Sequence, residues 1–275
     1  MLVTGATGNV GRLVVDELLA AGATAVRALT NDPAKAGLPD SVDVVEGYLG
    51  RLETMRAALE GVDVLYLAPL PRTVVEVAAL AAKAGVRRIV DLSASGADAE
   101  AAGDREGWHY YAVEHAVEES GIAWTHLRPG EFMTNATMWA GQIRAGDVVR
   151  DAHAEASTAP IALVDIAAVA ARALLDDRYV GAKLTMTGPE AITRAEMVVA
   201  IGAALGREVR YEELTHEQAV EEMKAVMGEY SAWYYEGMDE LARHPMPVSL
   251  VVEDVTGNPG TPFATWAVEN AGLFR

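Results

Sequence analysis

The chain reads as an α/β protein built on a doubly wound parallel sheet, with a smaller mixed lobe in its C-terminal half. Three observations predict this. Short apolar runs alternate with helical patterns throughout the first half. One run, "VDVLYLAPL" at 62–70, is apolar almost without break, as in a strand covered on both faces. The chain also opens on a strand, a glycine-bearing turn and a helix, "LVTGATGNVGRLVVDELLAAG" at 2–22.

In that opening, "MLVT" is apolar and β-prone. After Gly11, the residues Val14, Leu18 and Ala21 recur at helical spacing, and Gly22 supplies a stop. Gly5, Gly8 and Gly11 therefore lie on a strand–turn–helix junction. A dinucleotide pyrophosphate binds at such a place, on free N–H groups at the positive end of a helix. Gly5 permits the tight turn, Gly8 lets backbone approach phosphate, and Gly11 lets helix and strand pack closely. The spacing is GxxGxxG rather than GxGxxG, so the flanking strand and helix carry the argument.

The alternation continues. "TAVRALT" (24–30), "VDVVEG" (42–47), the run at 62–70, "VRRIVDLSAS" (86–95) and "IAWTHLRPG" (122–130) read as strands. "LETMRAALEG", "TVVEVAALAAKAG" and "WHYYAVEHAVEESG" read as the helices between them. "SGADAEAAGDREG" is acidic and glycine-bearing, as in a mobile loop. Beyond residue 131 the pattern is mixed. "VDIAAVAARALLDD" is a helix, and "AKLTMTG" and "EVRYEELT" are strands. "TRAEMVVAIGAALGR" is a helix with Thr193 and Glu196 as a capping box. A long helical stretch from His216 is interrupted at Gly228 and Gly237. The expected division is a nucleotide-binding core at 1–130 and a region at 131–275 that is mostly a substrate lobe, with some elements returning to the core sheet.

At 51% apolar residues the chain has enough for a buried core, and no window reaches the ~18–20 apolar residues of a membrane span. No cysteine is present, which excludes disulfides, thiolate metal sites and a cysteine nucleophile. A formal charge of −18 argues against nucleic-acid or anionic-membrane partners. With no basic leader before the first strand, a cytoplasmic protein, monomeric or homodimeric, is expected. The six histidines show no HxH or HExxH spacing, so no metal site is expected. There is no GxSxG elbow, and "GNPGTP" at 257–262 reads as a turn.

Three segments together carry a resemblance: "LVTGATGNVGRLVVDELLAAG", "WHYYAVEHAVEESGIAWTHLRPGEFMTN", and "APIALVDIAAVAARALLDD" with "MTGPEAIT". The chain resembles the NmrA-like branch of the atypical short-chain dehydrogenase/reductases over nearly its whole length. The resemblance implies a Rossmann-type core, bound NAD(P)(H) and a smaller C-terminal substrate lobe. It implies a pyrophosphate turn at Gly5, Thr7, Gly8, Asn9, Val10 and Gly11. Thr30 and Asn31 would face the adenosine ribose, and Tyr48 and Leu49 the adenine. Ala68, Pro69, Ser93 and Ala94 would line the cofactor path, with Pro129 to Phe132 near the nicotinamide. Many relatives end the second strand in "TR", where the arginine pairs with the 2′-phosphate of NADP; here the residue is Asn31. No acidic residue stands at that tip to claim the ribose of NAD either. Arg12 and Lys35 are each a candidate phosphate contact or a solvated surface charge. The balance leans to NADP(H) over NAD(H).

The family's usual acid is a Tyr with a Lys four residues on. Here Tyr111 is followed by His115 and Tyr110 by Glu114. Three functions remain open. One is NAD(P)H-dependent hydride transfer to a conjugated, aromatic or quinone-like carbonyl acceptor, a stabilised anion needing no strong acid. The second is a non-catalytic redox-sensing regulatory protein. The third is a non-redox isomerase or cyclase. Tyr110 and Tyr111 are the candidate acids. His109, Phe132, Trp139 and Trp233 are the candidate substrate contacts, Trp233 lying in an aromatic-rich stretch suited to a lid or to ordinary packing.

Overall fold

The computed structural model describes residues 1–102 and 109–275. They fall into two compact units. The first comprises Met1–Gly130, Leu163–Met186 and Val251–Asn258; the second comprises Glu131–Ala162, Thr187–Leu250 and Pro259–Arg275.

Up to residue 130 the elements are β1 (Leu2–Val3), α1 (Asn9–Ala20), β2 (Arg27–Thr30), β3 (Asp43–Glu46), α2 (Leu52–Ala58), β4 (Val64–Leu67), α3 (Val74–Ala84), β5 (Arg88–Leu92), α4 (Ala97–Ala102), α5 (Tyr110–Glu119) and β6 (Ala123–Pro129). They are followed by α6 (Ala140–Ala145), β7 (Val148–Asp151), β8 (Ser157–Thr158), α7 (Leu163–Leu175), β9 (Lys183–Met186), β10 (Ile192–Thr193), α8 (Arg194–Ala204) and β11 (Arg210–Glu213). The chain ends with α9 (His216–Met227), α10 (Tyr230–Arg243), α11 (Val251–Thr256) and α12 (Phe263–Glu269).

The first unit holds a seven-stranded parallel sheet of order β3-β2-β1-β4-β5-β6-β9. Successive strands leave β1 in one direction to β3. They then restart at β4 on the other side, so the order reverses between β1 and β4. Helices α1 and α7 pack together as one layer, and α2, α3 and α5 neighbour one another as another. This covering explains why every residue of β5 is buried and why such strands carry no polar–apolar alternation. The core runs from Leu2 and Leu65 through Ile89 to Val113 and Val117. At the edges, β3 exposes Asp43 and Glu46, and β9 exposes Lys183.

The second unit has two small pairings, β7 with β11 (parallel) and β8 with β10 (antiparallel). One cluster packs Trp139 and Ile143 against Val198, Ile201, Phe263 and Trp266. Another packs Ala219 and Met223 of α9 with Tyr235 and Met238 of α10.

Several segments differ from the sequence reading. Strands are shorter than the apolar runs: β4 covers 64–67, because Val62 packs into the core from the turn that precedes the strand. The acidic stretch expected as a loop contains α4; its residues 103–107, and Trp108, with which the sequence reading opens the next helix, lie outside the described residues. Gly228 separates α9 from α10 at φ +61, whereas Gly237 sits inside α10. The capping box of Thr193 and Glu196 is present, with the Glu196 carboxylate accepting from the Thr193 N–H at 2.8 Å.

Gly11 allows no side chain. A Cβ there would stand 2.2 Å from the Gly5 carbonyl oxygen and 3.1 Å from that of Thr4. Gly11→Ala is expected to cost about 3 kcal/mol, at the upper end for overpacking, because the obstacle is backbone. Urea denaturation of the variant measures this; an unchanged midpoint would contradict the close approach.

Candidate functional site

The turn after β1 is built by backbone constraints. Gly5 adopts φ +61, a region L side chains rarely enter. A Cβ on it would meet the Ala68 side chain at 3.1 Å, so the turn lies against the end of β4. Thr4 fastens the two strand ends: its Oγ1 donates to the Tyr66 carbonyl at 3.0 Å and accepts from the Ala68 N–H at 2.8 Å. The Gly8 N–H closes the turn on the Gly5 carbonyl at 2.8 Å.

Gly8 is also the N-cap of α1. No side chain caps this end, and the first turn holds no acidic residue. The opening N–H groups of a helix have no partner within it. This end of the helix lies at the carboxyl ends of β1 and β4, where the strand order reverses. In open parallel sheets the crevice at such a place is the ligand position. A Cβ on Gly8 would lie 3.2 Å from the Gly5 oxygen, so backbone is exposed where a side chain would stand. The arrangement fits a dinucleotide pyrophosphate.

The residues expected around this turn sit as follows. Thr7 and Asn9 are exposed, and Val10 and Gly11 are buried beneath them. Thr7 Oγ1 lies 3.3 Å from Thr30 Oγ1, joining the turn to the tip of β2. Asn31 is exposed just beyond, and its Oδ1 accepts from the Arg51 guanidinium at 3.4 Å. Tyr48 receives a hydrogen bond from Arg72 at 3.1 Å, whereas Leu49 is buried in the core. Ala68 and Pro69 follow β4 and are half-buried. Of the cations weighed for a phosphate, Lys35 pairs with Asp32 at 2.9 Å and Arg12 with Asp16 at 3.3 Å. Arg51 carries no signal in the sequence: it closes the turn from Tyr48, its N–H donating to the Tyr48 carbonyl at 2.8 Å.

Ser93, after β5, has its hydroxyl engaged. It donates to Glu114 Oε1 at 2.5 Å, while Ala94 beside it is half-buried. Glu114 is the centre of a network that sequence reasoning missed. Its carboxylate accepts from Arg128 Nε at 2.8 Å and from an Arg128 terminal nitrogen at 2.6 Å. Arg128 also forks onto Asp98 at 2.7 and 2.9 Å, so one guanidinium ties β6 to α4 and α5. Beside it, His126 Nδ1 meets Asp91 at 2.6 Å, with both side chains fully buried. Burial alone would pull His126 down, but the Asp91 hydrogen bond and charge outweigh it and hold its pKa above the usual value. A signal was available: Asp91, His126 and Arg128 stand inside otherwise apolar strands, where ionisable groups are rarely buried unpaired.

Of the candidate acids, Tyr111 is exposed and its ring stacks on His115 at 5.8 Å. Burial, then the charge of Glu100, pushes the Tyr110 pKa up. The usual family acid has its pKa lowered by an adjacent ammonium; that lowering is not seen at Tyr110. His109 is half-buried just ahead of α5.

In the second unit Phe132 is half-buried at a bridge to Ile161, and Trp233 is exposed on α10. Trp139 is 1% exposed, and its indole N–H donates to Asp151 at 2.6 Å, so its surface is occupied by packing. Asp151 also accepts from Tyr235 at 2.5 Å and from Arg194.

A family model described as NAD(P)H-binding matches residues 5–177, from the glycine turn through α7. The chain belongs to this NAD(P)H-binding family. It is 38% identical to the (4-alkanoyl-5-oxo-2,5-dihydrofuran-3-yl)methyl phosphate reductase of Streptomyces griseus, covering 100% of this chain and 99% of that one. It is 37% identical to the NAD(P)H azoreductase of Xenophilus azovorans, with the same coverage. An NADPH complex of an NADPH-dependent quinone oxidoreductase from Escherichia coli shares the fold at a TM-score of 0.86. It is 23% identical, over 98% of this chain and 99% of that one.

Arg128→Met is expected to destabilise the protein by about 3–5 kcal/mol, since it leaves the Glu114 carboxylate buried without its main partner. Burial alone would raise Glu114, but the Arg128 and Ser93 hydrogen bonds hold its pKa below the usual carboxylate value. Its contribution is therefore complete above about pH 4.3, the unfolded value, and is lost as pH falls through the lower folded value. Wild-type stability followed by denaturant titration should fall with acid in that window. In Arg128→Met that fall should be lost: burial then raises Glu114, acid neutralises the unpaired carboxylate, and the destabilisation by the substitution should shrink as pH falls.

Proposed function

We propose that the chain is an NADPH-dependent reductase that transfers hydride to a small acceptor with an electron-poor, conjugated double bond. The observation that carries this reading is the full-length similarity, at 38% and 37% identity, to two reductases. Each of their names describes a π system polarised by conjugation: an acyl-substituted oxo-dihydrofuran in one, an azo group in the other. The glycine-lined turn at the sheet's reversal point supports the cofactor.

When bound, the nicotinamide supplies a hydride. The chain's own residues bind and orient. Gly5, Gly8 and the first N–H groups of α1 hold the pyrophosphate by backbone donors and the helix dipole. Thr7 and Thr30 face the adenosine side. Arg51, beside Asn31, provides the cation that the tip of β2 lacks, and it suits a 2′-phosphate through a forked contact. This favours NADPH over NADH.

Hydride addition to a conjugated acceptor leaves a delocalised anion, so the site does not depend on a strong acid. The raised pKa of Tyr110 and the absence of a lysine four residues after Tyr110 or Tyr111 accord with this. We assign His109 and Tyr111 to shaping the acceptor's approach, and water to the final protonation.

The test is consumption of NADPH and NADH, followed at 340 nm, with quinones, enones, unsaturated lactones and azo dyes as acceptors. Turnover with NADPH is expected. Tight NADPH binding with no acceptor reduced across the panel would contradict a reductase. Gly8→Asp should abolish binding of both cofactors by bulk and charge at the pyrophosphate. Arg51→Ala should weaken NADPH about tenfold and leave NADH nearly unchanged; equal loss for both would remove Arg51 from 2′-phosphate recognition.

A further inference from the structure

The second unit brings together three side chains with no part in the proposed reaction. His153 follows β7, His216 is the first residue of α9, and Asp239 lies on α10. His153 Nε2 stands 3.2 Å from Asp239 Oδ1, and His216 Nδ1 stands 3.1 Å from Asp239 Oδ2. One ligand atom from each of the three can be chosen so that all lie within 4.8 Å of one another.

We propose that His153, His216 and Asp239 bind a divalent transition cation of the zinc class, with the remaining coordination left to water. Three observations carry this. The donor set, two imidazole nitrogens and one carboxylate oxygen, is of the kind that takes zinc or nickel rather than magnesium or calcium. The spacing is within reach of a shared ion: bonds of about 2.0–2.1 Å place neighbouring ligands of a tetrahedron about 3.3 Å apart, close to the two His–Asp distances, and the three ligand atoms lie within 4.8 Å of one another. Finally, His153 Nε2 is buried and makes no hydrogen bond, although a carboxylate oxygen is close by. A cation between the two atoms satisfies both.

The site is also held from behind. Among the described residues, His153 is the only non-glycine residue with positive φ, at +61. The Glu213 carboxylate accepts from the N–H of His153 at 2.8 Å and from that of Ala154 at 2.9 Å, fixing the turn. The buried Tyr235 ring lies beneath both imidazoles, at 6.3 and 6.1 Å between centroids. His216 and Asp239 are about one-third exposed, so a cation has access. The three ligands come from separate elements, which is why no histidine spacing announced them.

The test is calorimetric titration of tag-free, chelator-treated protein with Zn2+ in a non-coordinating buffer, together with the visible spectrum after adding Co2+. One Zn2+ per chain, with a Co2+ spectrum of tetrahedral type, is expected. His216→Ala and the near-isosteric Asp239→Asn should each weaken Zn2+ binding about tenfold or more. Glu253→Gln, on α11 of the other unit, should leave it unchanged. Zn2+ should raise the melting temperature of the wild type but not of either site variant. No stoichiometric binding, or equal binding in wild type and Asp239→Asn, would overturn the proposal and leave a carboxylate bridged to two imidazoles by protons. Neither readout depends on NADPH or on turnover.

Discussion

The first unit depends on how closely one helix approaches one turn. Helix α1 passes over the end of β1 with Gly11 against the Gly5 carbonyl, at a distance that no side chain permits. That contact sets the direction of α1, and with it where the helix's uncapped end points. The left-handed Gly5 and the Thr4 bonds to the end of β4 make the same junction rigid from the other side. A binding crevice thus arises from backbone geometry, and the chemistry of its floor owes little to side chains.

Each unit also fixes its own interior with a buried guanidinium. In the first, Arg128 joins β6 to α4 and α5 through Asp98 and Glu114. In the second, Arg194 at the start of α8 meets Asp151 at the end of β7, and its charge and the fully buried carboxylate organise Trp139, Tyr234 and Tyr235 around them. Burial is the largest influence on Tyr234, whose pKa is pushed up to about 12. Arginine suits such positions because its planar fork satisfies two partners at once and does not deprotonate. The aromatic residues at 234 and 235 are consequently structural, while Tyr230 and Trp233 on the same helix are exposed.

What was legible in the sequence followed locality. The glycine turn could be read because each glycine answers a constraint within ten residues of chain. The parallel sheet could be read because burial on both faces removes alternation from β4 and β5. Strand ends were overextended, since residues such as Val62 are apolar for packing reasons although they lie outside the ladder. Gly228 and Gly237 looked equivalent, yet only the first adopts a conformation that breaks a helix. Arg128 inside its strand signalled a buried partner, but the pairings within the Glu114–Arg128–Asp98 and Asp151–Arg194 networks could not be read because their members meet only after the elements have packed. The same holds for Arg51 beside Asn31, a contact made across the loop after β3.

The sheet's outer strands carry one more consequence. An edge strand offers unpaired N–H and C=O groups to any passing chain. Here β3 presents Asp43 and Glu46, and the opposite edge presents Lys183. A second copy adding its own β3 in antiparallel fashion would set carboxylates close together on a molecule that already carries a charge of −18. Like charges set directly opposite one another disfavour such edge-to-edge pairing.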